Sequence, residues 1–186
     1  MSTATRLITA DELFRMPEDE TGRCELIDGE IVQMSPPGSM HGFVAGFLTQ
    51  LLGAYVYKHR LGRVVAAETG FIVSRNPDTV LAPDGAFVRR ERFEITGIPK
   101  TYFPEAPTLV WEVVSPRDTV GEVAVKMRRW FKAGVELAWV VDPIGRTVTV
   151  YRAADDIRVL TEKDVLSGEN VVPGFECQVA ELFADL

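Results

Sequence analysis

Apolar residues recur along this chain at two spacings. From His41 to Lys58 they fall three and four apart (Val44, Phe47, Leu48, Leu51, Leu52, Tyr55, Val56), which predicts a helix. A second helix is predicted over Asp118–Ala133, stopped by Gly134. Thr9-Ala10-Asp11-Glu12 has the spacing of a capping box and opens a short helix that ends near Met16-Pro17. Shorter runs read as strands. Cys24–Ile27 and Glu30–Met34 flank Asp28-Gly29 and form a hairpin, because that dipeptide tolerates positive φ. Strands are expected around Val64–Val73 and Val80–Val88, separated by Asn76-Pro77-Asp78, then at Leu109–Val114, Val135–Val141, Thr147–Arg152 and Ile157–Leu160. Glu91–Pro107 is polar, holds three prolines and reads as a loop, while Phe175–Phe183 reads as a short strand and a helical turn. Strand, helix and strand between Leu109 and Val141 imply a right-handed crossover joining parallel strands. The expected fold is α/β, a mixed β-sheet flanked by α-helices, in a single domain spanning residues 1–186. No internal repeat or low-complexity segment interrupts it.

Two acids break the apolar pattern. Glu112 lies inside Leu109-Val110-Trp111-Glu112-Val113-Val114, and Asp84 inside Val80-Leu81-Ala82-Pro83-Asp84-Gly85-Ala86-Phe87-Val88. Burying an unpaired carboxylate costs several kcal/mol or more, so such a group normally has a cation or proton for company. Alternation puts Leu109, Trp111 and Val113 on one face of their strand and Val110, Glu112 and Val114 on the other. Gly85 lets backbone or ligand approach closely beside Asp84. On the following helix Glu122, Lys126, Arg129 and Trp130 share a side, and Lys126 is near enough in sequence to fold back over Glu112. Two carboxylates and a backbone carbonyl are the oxygen donors that Mg²⁺ or Mn²⁺ takes, with an ammonium alongside to orient water or offset developing charge.

Each residue also has a plainer role. Glu112 can be half of a structural ion pair with an arginine, and Asp84 after proline can be an Asx turn. Lys126 can pair with Glu122 on a solvated helix face, a contact worth little. His41, at a helix start after Pro36-Pro37-Gly38, either points into a cleft or bonds to backbone. Glu25 points opposite to Leu26 and reads as exposed; Glu68 is similar. His59 at a helix end suits the dipole and carries no assigned role. Lys126-Met127-Arg128-Arg129-Trp130-Phe131-Lys132 is the one dense basic-aromatic stretch, and Arg89, Arg90 and Arg92 form a smaller basic group.

Composition narrows the function classes. The 186 residues carry a net charge of −7 with a pI near 4.9, which lowers the expectation of nucleic-acid binding without removing it. No apolar run spans a bilayer, and Met1-Ser2-Thr3-Ala4-Thr5-Arg6 lacks the apolar stretch of a secretory signal, so a cytoplasmic location is expected. Cys24 and Cys177 argue against a disulfide framework or a thiolate metal site. Gly-rich phosphate loops, nucleophile elbows, paired metal histidines and dinucleotide fingerprints are absent from the sequence.

An ordered set of segments resembles a known family. Glu25-Leu26-Ile27-Asp28-Gly29-Glu30, His41, Ala82-Pro83-Asp84, Trp111-Glu112-Val113-Val114-Ser115-Pro116, Lys126, Ala133-Gly134-Val135 and Trp139-Val140-Val141-Asp142-Pro143 look like the Uma-two family of restriction endonucleases, within the PD-(D/E)xK nuclease superfamily. The match runs over roughly Thr9–Arg152. The resemblance implies a restriction-endonuclease-like core and a Mg²⁺-dependent phosphodiesterase site. Asp84 would be the first acid, Glu112 the second and the carbonyl of Val113 a further ligand. The superfamily lysine two residues after the second acid is Val114 here; in this family it lies on the next helix, which points to Lys126. Trp130 stands where a tyrosine is usual, and Glu136-Leu137-Ala138 where Pro-Glu-Tyr is frequent.

The leading expectation is therefore a metal-dependent endonuclease acting on DNA, with Asp84, Glu112 and Lys126 as its catalytic set and His41 and Glu25 lining the same cleft. A homodimer suits a small nuclease that addresses two strands. Two rivals keep the fold: a non-catalytic binding or assembly protein, favoured by the acidic pI and by Val114, and a metal-assisted hydrolase of small phosphate esters.

Overall fold

The computed structural model describes residues 6–184 and Leu186. The segment Met1–Thr5, read above as lacking a signal, lies outside the described residues. In chain order the helices are α1 (Ala10–Arg15), α2 (Glu18–Thr21), α3 (Ser39–His59), α4 (Arg90–Thr96) and α5 (Val120–Lys132). The strands are β1 (Cys24–Ile27), β2 (Glu30–Gln33), β3 (Gly62–Ala66), β4 (Phe71–Ser74), β5 (Thr79–Leu81) and β6 (Gly85–Arg89). They continue with β7 (Leu109–Val113), β8 (Leu137–Asp142), β9 (Thr147–Tyr151), β10 (Ile157–Thr161), β11 (Val165–Ser167) and β12 (Glu176–Gln178). A 3₁₀ turn follows over Val179–Phe183.

A six-stranded mixed sheet ordered β10-β9-β8-β7-β6-β3 forms the centre, and β7–β8 is its parallel pair, joined through α5. A four-stranded antiparallel sheet ordered β2-β1-β5-β4 stands beside it, and β11 and β12 form a small ribbon. The α/β mixed-sheet architecture is as expected. Two strand assignments need correction. Val64–Val73 breaks into β3 and β4, and Val80–Val88 into β5 and β6, with the two halves of each run in different sheets. The breaks fall where the backbone turns, at Glu68 with φ +70° and at Ala82-Pro83-Asp84, where proline has no N–H for a ladder. The expected loop Glu91–Pro107 opens instead with α4. Arg90 and Glu94 pair one turn apart, and the three prolines follow the helix rather than interrupt it. The second long helix starts at Val120 rather than Asp118, because Thr119 and Glu122 form a reciprocal capping box.

Each face of the large sheet has its own cover. Helix α3 has no Asp, Glu, Lys or Arg before Lys58, and it lays Leu48, Leu52 and Val56 against Trp111, Trp139 and Phe183. Helix α5 is amphipathic, and its Met127 and Trp130 pack with Phe71, Ala86, Val110 and Ala138 on the opposite face. The small sheet is covered on one side by Ala10 and Leu13 of α1, against Leu26, Ile72 and Val80. No helix among the described residues is long and apolar enough to cross a membrane.

Gly85 fixes how β6 lies beside β7. It pairs with Trp111, and a Cβ on Gly85 would sit 2.0 Å from the Trp111 indole, which is fully buried. The close approach inferred for Gly85 is therefore that of Trp111. Gly85→Ala is expected to lower the unfolding free energy by about 2 kcal/mol or more through overpacking. Gly46→Ala on α3, where an added Cβ meets nothing within 4 Å, should raise it by roughly 0.5–1 kcal/mol. Urea unfolding of the two variants checks the pair; equal stability would contradict the packing described.

Candidate active site

The two sheets meet where the chain crosses from β5 to β6, and Asp84 sits on that crossing. Its Oδ2 accepts the backbone N–H of Val113 at 2.8 Å, so the end of β7 holds the carboxylate in place. His41 Nε2 lies 3.0 Å from the same oxygen. An ionised carboxylate only accepts, so Nε2 carries the proton there. His41 reaches Asp84 because the Pro36-Pro37-Gly38 loop delivers it to the first turn of α3, whose next turns are anchored by Val44, Ala45 and Leu48. Its Nδ1 is buried and has no hydrogen-bond partner among the described residues. Burial alone would raise the pKa of Asp84. The hydrogen bonds from His41 and Val113, with the charges of His41 and Lys126, outweigh it and hold the carboxyl below its usual value.

Glu112 projects from the other face of β7 relative to Trp111 and Val113, as alternation requires. Trp130 Nε1 donates to its Oε1 at 3.0 Å, and the Lys126 ammonium lies 3.0 Å from both oxygens. Trp130 and Lys126 are four residues apart on α5 and close on Glu112 together. Lys126 is also 3.1 Å from Glu25 Oε1, which accepts the backbone N–H of Ala82 at 2.9 Å. The guanidinium partner considered for Glu112 is thus an ammonium. The Lys126–Glu122 pairing does not form, since Glu122 caps α5 through Thr119.

Glu25 corrects the alternation argument. It was read as exposed because Leu26 points inward, yet it is 6% exposed. The small sheet is covered on both sides: Leu26 faces α1, while Glu25 faces α5. Glu25 and Glu112 therefore share one lysine, whose charge also acts on nearby Asp84. Burial and the neighbouring negative charges of Asp84 and Glu25 lift Glu112 to about 7 against the opposing pull of Lys126. Burial would lower Lys126, but Glu112 and Glu25 more than offset it and hold the ammonium above its usual value.

All five residues singled out in the sequence line one cavity of about 610 Å³: Glu25, His41, Asp84, Glu112 and Lys126, with Val113 at the floor. Arg23, not singled out earlier, stands at its wall, 3.9 Å from Asp84 Oδ1 and 3.3 Å from Glu68. Its signal was present, since Arg23 and Glu25 are two apart and share a side of the chain entering β1. Most of the other arginines in the two basic runs are engaged. Arg89 forks onto Glu136, Arg90 pairs with Glu94, Arg92 lies by Glu105, and Arg129 reaches Asp28 at the hairpin turn. Trp130 is fully buried, while Arg128 and Lys132 are exposed.

The donor set is oxygen-rich and suits a hard cation. Among the described residues Asp84 Oδ1 has Arg23, at 3.9 Å, as its ion-pair neighbour, and each carboxylate oxygen accepts more than one bond. No arrangement of three or more His, Cys, Asp or Glu ready to cage a metal occurs among the described residues. Two carboxylates suffice for Mg²⁺, which keeps several of its waters.

With this geometry in place, comparison with known proteins identifies the lineage. The family model Uma2, described as "Putative restriction endonuclease", matches residues 10–180. The chain belongs to the Uma2 family. No curated protein matches this Uma2 chain. A crystal structure from Anabaena variabilis, described as "a putative nuclease belonging to DUF820", is 24% identical, with a TM-score of 0.81 over 95% of this chain and 98% of that one. At that identity the likeness establishes the shared fold alone.

The charge balance has a measurable sign. Glu112, with its folded pKa raised from 4.5 to about 7, contributes stability that is fully present below about pH 4.5 and is lost as pH rises through about 7. Asp84, lowered from 3.8, contributes stability that is present throughout this window and lost only in more acid solution, and raised Lys126 contributes throughout the window as well. In metal-free buffer the unfolding free energy should therefore fall from pH 5 to pH 7, by at most about 1.4 kcal/mol per pH unit from this group. Glu112→Gln should flatten the slope. Urea unfolding across that range checks it, and an unchanged slope in the variant would contradict the assignment.

Proposed function

We propose that this Uma2 protein is a divalent-metal-dependent nuclease that hydrolyses phosphodiester bonds in DNA, built as one restriction-endonuclease-like domain. The observation that carries the reading is the convergence of carboxylates on one cavity: Glu25 and Glu112 share the Lys126 ammonium, and Asp84, beside His41 and Arg23, faces the same space. Oxygen donors gathered on one cavity, two of them fixed by backbone N–H groups, suit a hard cation.

In this reading Asp84, Glu112 and the carbonyl of Val113 hold Mg²⁺ or Mn²⁺. The bound ion supplies Lewis acidity toward a phosphoryl oxygen and lowers the pKa of a water. The chain supplies the rest. His41 and the Val113 N–H fix the rotamer of Asp84, leaving Oδ1 toward the cavity. Trp130 fixes Glu112, which is why an indole serves where a tyrosine is usual in the family. Lys126, steadied by Glu25, aims its N–H donors at the attacking water or at a phosphoryl oxygen as charge grows there. Hydrolysis adds the water oxygen to phosphorus, breaks one P–O ester bond and returns the water's protons to solvent and the leaving oxygen. The lysine displaced from Val114 to α5 still reaches the second acid, so its shift along the sequence does not by itself argue for a non-catalytic protein.

Purified protein with Mg²⁺ or Mn²⁺ is expected to nick plasmid DNA. Asp84→Ala, Glu112→Ala and Lys126→Ala should each cut the rate by at least a hundredfold, the scale of losing a preorganised charge-stabilising group. Gel assays of wild type and variants check this. Wild-type protein inert on single- and double-stranded DNA with both metals would contradict it, and turnover of a chromogenic phosphodiester without DNA cleavage would point to small esters instead.

A further inference from the structure

A second cavity of about 470 Å³ adjoins the carboxylate cleft. The two share Arg23, Glu25, Met34 and Ala82 in their linings, so neighbouring residues of one ligand chain could reach both. Its volume falls within the roughly 300–1,000 Å³ usual for small-molecule sites. Its character differs from that of the cleft. Phe14 of α1 and Tyr102 set their rings edge to face at 5.2 Å, with Leu13, Met16 and Val80 around them. Phe14 is 45% exposed, a cost in water that a buried core position would have avoided.

The aromatic wall is held firmly. The segment carrying Tyr102 is bonded to β4 on both sides: Phe103 N–H donates to the Gly70 carbonyl at 3.0 Å, and Ile72 N–H to the Phe103 carbonyl at 2.9 Å. The Tyr102 ring lies on Gly70 itself, where a Cβ would stand 2.3 Å from it. Arg23 stands between the two cavities. Its Nη1 donates to the Ser35 carbonyl at 3.2 Å, and its ion pairs are long, 3.3 Å to Glu68, whose side chain is 66% exposed, and 3.9 Å to Asp84, so the guanidinium keeps N–H donors for a phosphate. A cavity with an aromatic pair in its wall and a planar cation at its edge, next to a site for phosphodiester chemistry, matches a nucleotide: the base against the rings, its phosphate on the guanidinium.

We propose that this second cavity takes an unstacked nucleobase of a single strand, with Arg23 holding the phosphate that links that nucleotide to the one at Asp84 and Glu112. The inference rests on the phosphodiesterase reading and adds a substrate class to it: single-stranded or opened nucleic acid, because a base within an intact duplex cannot leave its stack without losing pairing. Tyr102 and Phe14 are specificity-determining residues, and Arg23 is a phosphate-binding one.

The test is binding without cleavage. Full-length protein in EDTA is titrated, by fluorescence anisotropy, into a labelled short oligothymidine, into the same oligomer with abasic residues in place of its nucleotides, and into the matched duplex. Wild type should prefer the base-bearing strand over the abasic one by tenfold or more, and over the duplex. Tyr102→Ala should bring the base-to-abasic ratio near unity, while Tyr102→Phe keeps it. Phe14→Ala, at a half-exposed position that asks little of folding, should lower the ratio even if Tyr102→Ala fails to fold. Arg23→Ala should weaken both strands alike and reduce the slope of log affinity against log salt by about one. Equal binding of base-bearing and abasic strands by wild type, a duplex preference, or a ratio untouched by Phe14→Ala would overturn the proposal. If DNA is still nicked with Mn²⁺ in those cases, the nuclease reading stands and the base subsite alone falls; absence of both binding and cleavage removes both.

Discussion

The ammonium of Lys126 between Glu25 and Glu112 is the contact on which the rest of the site depends. It joins three separate parts of the fold: β1 of the small sheet, β7 at the centre of the large one, and α5 across its face. Removing one partner from such a buried set leaves uncompensated charge and costs about 3–5 kcal/mol. The neighbouring packing reads as support for it. Trp130 fills the space between α5 and the sheet and spends its one N–H on Glu112. Gly85 admits Trp111, which sets β6 against β7 and brings Asp84 to the Val113 N–H. The two sheets are thus joined at their acids, and the cleft lies at that junction.

Much of this was legible in the residues. Period-three-and-four spacing marked α3 and α5, Asp28-Gly29 marked the hairpin, and Thr9 and Thr119 stood at capping positions. The acids of β7 and of the β5–β6 crossing stood out because they interrupt apolar runs. What stayed hidden depends on tertiary cover. Glu25 was misread because alternation assumes one wet face, and this small sheet has none at that position. The paired strands on either side of Glu68 and of Pro83 were read as continuous because both halves of each run are apolar, and sequence alone does not say which sheet a half joins. α4 was missed because the local helix signal in Arg90–Glu94 is an ion pair rather than an apolar stripe.

The acidic overall charge and the proposed substrate are reconciled by locality. Most arginines of the basic runs are tied to surface carboxylates and offer little to a long duplex. Arg23, bonded to the Ser35 carbonyl and near Glu68 and Asp84, stands at the wall shared by the carboxylate cleft and the aromatic cavity. In the proposed reading, contact with the nucleic acid would concentrate on a few nucleotides near the reacting phosphate, which suits recognition by shape and stacking more than by a broad electrostatic track.

That the carboxylates of the cleft hold a divalent cation is the central claim, and a titration of metal into the purified protein tests it most directly. Calorimetry with Mn²⁺ should give one ion per chain, with affinity reduced at least tenfold in Asp84→Asn and little changed in Phe14→Ala. No heat with either Mn²⁺ or Mg²⁺ up to low millimolar concentration, or equal affinity in Asp84→Asn, would contradict the account.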